Sequence, residues 1–276
     1  MASTQSAARL QAPAPLFVGG SVTRELGGSN ERPAREPQPP ETSLDLDPSR
    51  TALVVGAGPG LGAALARKLG RAGVKVALAA RNIAKLTVIA KDTRADAFAC
   101  DASRPTDVER LFQQVEARFG ALDIVVYNAS ARARGPIAGL EPGDVQRTLA
   151  VSAFGGFLVA QQAAHAMIPR GSGVLLFTGA SASLKGFAQS APFAMGKFAL
   201  RGLAQSAARE LGPKGIHVCH VVIDGAIGGA AARGAEGKPD GQLDPDAIAD
   251  SYLHLIAQPR NAWTHEIDLR PWTETF

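Results

Sequence analysis

From Arg50 onward the sequence alternates short apolar runs with stretches of helical spacing, and this alternation constrains the fold more than any other feature. "TALVVGAG", "VKVALAARN", "ADAFACDA", "ALDIVVYNAS", "GVLLFTGAS", "GIHVCHVVIDGAI" and "THEIDLRP" read as strands. Between them lie "GLGAALARKLGRAG", "NIAKLTVIAKDT", "RPTDVERLFQQVEARFG", "EPGDVQRTLAVSAFGGFLVAQQAAHAMI", the stretch around "FAMGK", and "DPDAIADSYLHLIAQP", all helical in pattern. Strands that are apolar on both faces need cover on both faces. The expected fold is therefore α/β: a Rossmann-like, doubly wound parallel sheet flanked by helices on both faces. Right-handed crossovers join its strands. With 46% hydrophobic residues, the stretch 50–276 is expected to form a single domain, with no separate substrate domain.

Residues 1–49 are different. They are dense in proline, glycine and charge and hold no sustained period, so they cannot bury enough apolar surface to offset their ordering entropy. A disordered arm is expected there. Its first 24 residues carry Arg9 and Arg24 without an acid, but no amphipathic helix is visible, so a plain tail is expected rather than a targeting signal.

Charge and cysteine usage exclude several functions. The net charge is +4 and the basic residues are scattered, so no nucleic-acid stripe forms. No apolar run reaches about 18 residues, which excludes a helical membrane span. The two cysteines, Cys100 and Cys219, lie far apart in apolar segments, which fits neither a disulfide framework nor a metal site and points to a reducing, cytoplasmic setting. His217 and His220 fall on opposite sides of one strand, so shared metal ligation is not expected.

The chemistry begins at "GAGPGLG", with Gly56, Gly58, Gly60 and Gly62 between the first strand and the first helix. Glycine permits a tight turn there and lets backbone amides approach a pyrophosphate. The helix that starts at Leu61 offers free N–H groups and partial positive charge. A glycine cluster placed after a strand and before a helix is a strong dinucleotide signal. The second strand then ends "ALAARN". An NAD site usually has an acid there for the ribose 2′-hydroxyl; here Arg81 is available for a 2′-phosphate. NADP(H) is therefore favoured over NAD(H). Asp101, at the end of "FACDA", falls at the ligand edge of the sheet.

These residues together resemble the classical short-chain dehydrogenase/reductase family, from about Thr51 to Phe276. "GAGPGLG" is similar to its cofactor loop, with Val55 in the usual threonine position. "CDA", with Asp101 and Ala102, resembles its adenine-binding segment. "YNAS" resembles its asparagine-alanine-glycine motif, with Asn128 and Ala129 matching and Ser130 replacing glycine. "FAMGK" sits where the family carries tyrosine-x-x-x-lysine. The resemblance implies that Lys197 holds the nicotinamide ribose, that Phe193 replaces the proton-transferring tyrosine, and that Ser152 replaces the long-helix asparagine. It also implies that a serine orients the substrate oxygen. An ungapped count places Ala180 in that slot, and a shift of one residue would place Ser181 there. Downstream, Asp224 stands where the family usually has proline, Gly225 matches its glycine, and Ile227 is placed to offer its amide to the nicotinamide. By resemblance a homodimer or homotetramer is expected, built on the long helix and the "FAMGK" helix.

Phenylalanine has no titratable proton. A positioned general acid contributes about 10²–10⁴-fold, so its loss need not abolish hydride transfer. Three functions stay open: an NADP(H)-dependent oxidoreductase acting on a small carbonyl or alcohol, a cofactor-binding protein with little turnover, and a reductase of an activated double bond. Water, Ser181, an acidic group on the substrate and Lys197 are the candidate proton donors. Tyr127, an aromatic residue at a strand end, reads as packing more than as chemistry. Trp263 and Trp272 are open to two readings, a subunit contact or the core.

Overall fold

The computed structural model describes residues 46–228 and 241–273. Most of the expected arm and the glycine-rich stretch 229–240 lie outside the described residues. Leu46 is already buried in the core, so the packed body begins before Arg50.

Seven parallel strands form one sheet in the order β3-β2-β1-β4-β5-β6-β7. They are β1 (Thr51–Val55), β2 (Lys75–Ala80), β3 (Asp96–Ala99), β4 (Ile124–Tyr127), β5 (Gly173–Thr178), β6 (Ile216–Ile223) and β7 (Glu266–Leu269). The helices are α1 (Leu61–Arg71), α2 (Thr87–Thr93), α3 (Pro105–Phe119), α4 (Pro142–Leu149), α5 (Gly155–Met167), α6 (Ala191–Leu211) and α7 (Pro245–Ala257). The central strands β1, β4, β5 and β6 are buried along their whole length. Alternate side chains feed two cores. Val54, Leu78, Val126, Leu176 and Val221 meet α1 and α7 on one side. Leu53, Ala79, Val125, Phe177 and Val218 meet α3, α5 and α6 on the other. Strand order reverses between β1 and β4, and a crevice opens at the carboxyl ends of those strands.

Two stretches differ from the sequence expectation in a way that bears on the site. The segment after β2 opens as a 3₁₀ turn, Ile83–Leu86, because the Asn82 side chain accepts from the Ala84 amide. The long helix is not uniform: α4 and α5 are joined by a π turn, Ala150–Phe154. The Tyr127 hydroxyl donates to the Val151 carbonyl inside that turn. Gly155 makes the approach possible, since a Cβ there would lie 2.5 Å from the Tyr127 hydroxyl and 2.6 Å from the Ala102 carbonyl. Single π turns inserted in α-helices concentrate at functional sites.

Candidate active site

The crevice at the switch point is a cavity of about 370 Å³. Its lining includes Gly56, Gly58, Arg81, Lys85, Asp101 and Asn128. The glycines divide into two kinds. At Gly56, φ is +85° and a Cβ would collide with the backbone of Ala129; at Gly62, a Cβ would lie 2.9 Å from Ala57 Cα. These two let the chain turn and let α1 close on the loop. At Gly58 and Gly60, a Cβ would meet nothing within 4 Å. Glycine at those positions leaves the cradle open for a ligand, where the amides at the start of α1 are free to donate.

The surrounding residues hold the cradle in place. Asn128 Nδ2 donates to the Gly56 carbonyl at 2.9 Å, tying the ends of β1 and β4 together. The Asp101 carboxylate accepts from the amide and hydroxyl of Ser103 at 3.0 and 2.7 Å, which shapes the turn after β3. Ala102 is buried beneath it and Ala129 closes the floor. Leu61 turns its side chain into the core, so only its backbone faces the cradle. Lys85, from the 3₁₀ turn, joins Arg81 on the wall; it lay in an expected helix and carried no motif to mark it.

Lys197, on α6, is buried. Its Nζ donates to the Thr178 carbonyl at 2.7 Å, at the carboxyl end of β5. Burial pushes its amine down to about 7, and the Arg132 guanidinium adds to the effect. Phe193 lies one helical turn earlier and packs with Ala180, Ala182 and Ala194. The structure thus sets Ala180 against Phe193, while Ser181 begins the 3₁₀ turn Ser181–Ser183. Ser152 sits in the π turn, fully buried. Its hydroxyl accepts from the Ala131 amide at 3.1 Å and donates to the Ala131 carbonyl at 3.4 Å, so it anchors the loop after β4. Gly225, at φ +154°, and Ile227 follow β6, where Ile227 bridges to Leu243. Asp224 pairs with Arg270 at 3.3 Å.

Tyr127 settles as packing: burial raises its phenol well above the ordinary value, and its proton is committed to Val151. Trp272 is 80% exposed, whereas Trp263 stacks on His217 at 5.0 Å, beside a second cavity of about 320 Å³ at the opposite end of the sheet. No group of metal-ligating side chains exists among the described residues.

Two arrangements were not read from the sequence. The first begins at Arg201, which forks onto Glu266 at 2.8 and 2.6 Å. Glu266 accepts from His220 Nδ1 at 2.9 Å, and His220 Nε2 lies 3.3 Å from the Ser183 hydroxyl. Burial lowers the His220 pKa below its ordinary value, so the ring is neutral at pH 7. With Nδ1–H donating to the carboxylate, Nε2 accepts from Ser183, and Ser183 in turn accepts from the Ala180 amide at 3.2 Å. This buried network braces the loop that carries Ala180. The second is Arg132, whose guanidinium lies over the Phe193 ring, 4.1 Å from its centre. The spacing of two arginines in "NASARARG" was the available signal, but no motif of the sequence contained it.

Residues 50–233 match the short chain dehydrogenase family. The chain belongs to that family. An uncharacterised oxidoreductase of Staphylococcus aureus (strain N315) is 31% identical over 231 residues, covering 80% of this chain and 97% of that protein. A short-chain dehydrogenase from Rhodopseudomonas palustris superposes with a TM-score of 0.71 at 31% identity, over 81% of this chain and 99% of that one. A metagenomic short-chain oxidoreductase in complex with NADP gives a TM-score of 0.71 at 29% identity, over 81% of this chain and 97% of that one. The crevice of this short-chain dehydrogenase fits a nicotinamide dinucleotide on its own geometry, because the two glycines that open the cradle face space no side chain fills.

Proposed function

We propose that this protein is an NADP(H)-dependent oxidoreductase that moves a hydride to or from a small carbonyl or alcohol substrate through a modified catalytic centre. The observation that carries the reading is one cavity at the carboxyl edge of the sheet in which the Gly58 cradle, Arg81 and Asn128 meet, with the buried Lys197 Nζ on the Thr178 carbonyl at the end of β5, two strands further along the same edge. Arg81 and Lys85 supply two cations where a 2′-phosphate would lie, and the end of β2 carries no acid. The metagenomic relative was captured with NADP, which supports the same choice.

The nicotinamide supplies the hydride-transferring carbon when bound. Asp101, Ala102, Asn128 and Ala129 position the dinucleotide, and Gly225 and Ile227 lie on the side where its nicotinamide end would fall. Lys197 holds the ribose from beneath. With an amine near 7 it also exchanges a proton at Nζ close to neutrality. Phe193 occupies the tyrosine slot and Ala180 the serine slot, so the wall facing the substrate offers shape without a hydroxyl. Ser181 is the hydroxyl nearest in sequence. Ser152 fills the asparagine slot and acts as a loop anchor.

The same apolar wall favours a second reading, a cofactor-binding protein with little turnover. Reduction of an activated double bond is a third, since that chemistry takes its proton from a different donor. Fluorescence titration with NADPH and NADH, on the parent and on Arg81→Ala, tests the pocket. The parent should prefer NADPH, and the variant should lose that preference. NADPH oxidation with a carbonyl panel, on the parent and on Phe193→Tyr, separates the readings. An active parent supports the enzyme; an inert parent rescued by the tyrosine supports the second reading.

Four exposed apolar residues, Phe154 and Phe157 beside the start of α5 and Met195 and Phe198 on α6, support a homo-oligomer built on those helices. Two buried free cysteines fit a cytoplasmic setting.

A further inference from the structure

We infer that the substrate is a small oxo acid or its hydroxy acid, and that Arg132 is the residue that recognises its carboxylate; this rests on the oxidoreductase reading above. Several independent restraints place the guanidinium at the reaction centre. Ser152 grips both backbone groups of Ala131, the residue before it. Three residues further on, the Gly135 amide donates to the Gln189 carbonyl at 3.1 Å, fastening the loop to the segment that leads into α6. Gln189 takes a left-handed φ of +57° to present that carbonyl, a strained choice for a residue with a side chain. Between these two fastenings the Arg132 guanidinium lies over Phe193, and Lys197 lies 5.9 Å from the same ring.

No carboxylate among the described residues pairs with Arg132 or with Arg134. The neighbouring charge is instead of the same sign, and it combines with desolvation to lower the Arg132 pKa. The Arg132 guanidinium is exposed to solvent at its edge, stacked on a ring and paired with no acid, so an arriving anion meets no competing carboxylate. Stacking leaves its in-plane N–H groups free, and their fork matches a carboxylate in two parallel bonds. The face of the phenylalanine holds the cation. In the reductive direction a hydride reaches the carbonyl carbon and a proton reaches its oxygen, giving the hydroxy acid and the oxidised cofactor. Arg132 fixes the carboxylate throughout and is unchanged at the end.

The test compares pyruvate and 2-oxobutyrate with their methyl esters, which keep the carbonyl and lose the charge. Binding to the NADP⁺-loaded full-length chain is read by calorimetry, on the parent, Arg132→Ala and Arg132→Lys. The parent should bind each acid at least about tenfold tighter than its ester. Arg132→Ala should abolish the difference, and Arg132→Lys should restore part of it, because a point charge replaces the fork. Equal binding of acid and ester by the parent, or discrimination that survives Arg132→Ala, overturns the proposal. Circular dichroism of each variant guards against misfolding, and the lysine variant keeps the test open should the alanine variant fail to fold. Should the parent bind no NADP(H), the cofactor reading falls by itself. The acid–ester comparison on the cofactor-free chain then still decides the role of Arg132.

Discussion

Replacing Lys197 by methionine should stabilise the cofactor-free protein. The amine is buried, with one bond to the Thr178 carbonyl and a guanidinium nearby, and its pKa falls from 10.5 to about 7. At about 1.36 kcal/mol per unit, the folded state is weakened by roughly 4 kcal/mol at pH 7 relative to an unperturbed lysine. Methionine fills a similar volume without a charge. It leaves the Thr178 carbonyl short of one donor, a loss of about 1 kcal/mol. The net gain should be roughly 3 kcal/mol, or about 1 M in the urea midpoint. The pH dependence fixes the cause. Between the folded pKa near 7 and the unfolded 10.5, the unfolded chain keeps a proton that the folded chain has shed, so the parent gains stability as pH rises through that window. The gap between variant and parent should therefore close between pH 7 and pH 10, by at most about 1.4 kcal/mol per pH unit. Buried thiols and phenols titrate in the same range, but they are common to both proteins and cancel. Urea titrations of both proteins at several pH values make the measurement. A variant less stable than the parent throughout, or a gap indifferent to pH, would refute the reasoning.

Gly196→Ala should cost about 1–3 kcal/mol in urea unfolding, because its Cβ would lie 2.7 Å from Ser152 Cβ. Gly202→Ala, on the same helix with nothing within 4 Å, should be neutral or stabilising by up to about 1 kcal/mol. Burial holds His217 and His220 below the ordinary histidine pKa, so each contributes stability that is present above about 6.5 and lost as pH falls. The melting temperature should drop from pH 7 to pH 5, and His220→Gln should flatten that slope; unchanged slopes would count against it. Phe157→Glu combined with Phe198→Glu should convert an oligomer to a monomer in light scattering, since both side chains are nearly half exposed in the single chain.

The fold was legible because both signals behind it are local. A fully buried parallel strand must be apolar on both faces, and "TALVV" and "GVLLFT" are. The crevice at the switch point was legible for the same reason: "GAGPGLG" turns through its own backbone, at a position the alternation of elements fixes. What escaped depends on residues far apart in sequence. Lys85 reaches the crevice only because Asn82 tightens the start of its helix into a 3₁₀ turn. The π turn needs Tyr127, a strand away, to capture the Val151 carbonyl. His220 reads as one more strand residue until Glu266, 46 positions later, lies against its ring. Ser152 looked like a degraded catalytic residue. Its hydroxyl turns out to be committed to Ala131, and no periodicity reports a bond between a helix and a loop.

The departures at the centre are physically linked. A buried hydroxyl without a partner costs about 1–3 kcal/mol, whereas two apolar groups that replace a hydrogen-bonded pair can be nearly neutral. Where the family resemblance implies tyrosine and serine, Phe193 and Ala180 stand, and both side chains belong to one small apolar cluster. A phenylalanine alone would strand a serine, and an alanine alone would strand a tyrosine. The apolar face left behind is what a guanidinium can stack on, and Arg132 does so. Its loop has a fixed root in the Ser152 hydroxyl, which holds the Ala131 amide. A catalytic centre that was merely decaying would have lost these residues singly and left unpaired polar groups. Among the described residues the one buried side-chain polar atom without a partner is His217 Nδ1, at the far end of the sheet. No buried side-chain polar atom around Phe193 is left without a partner.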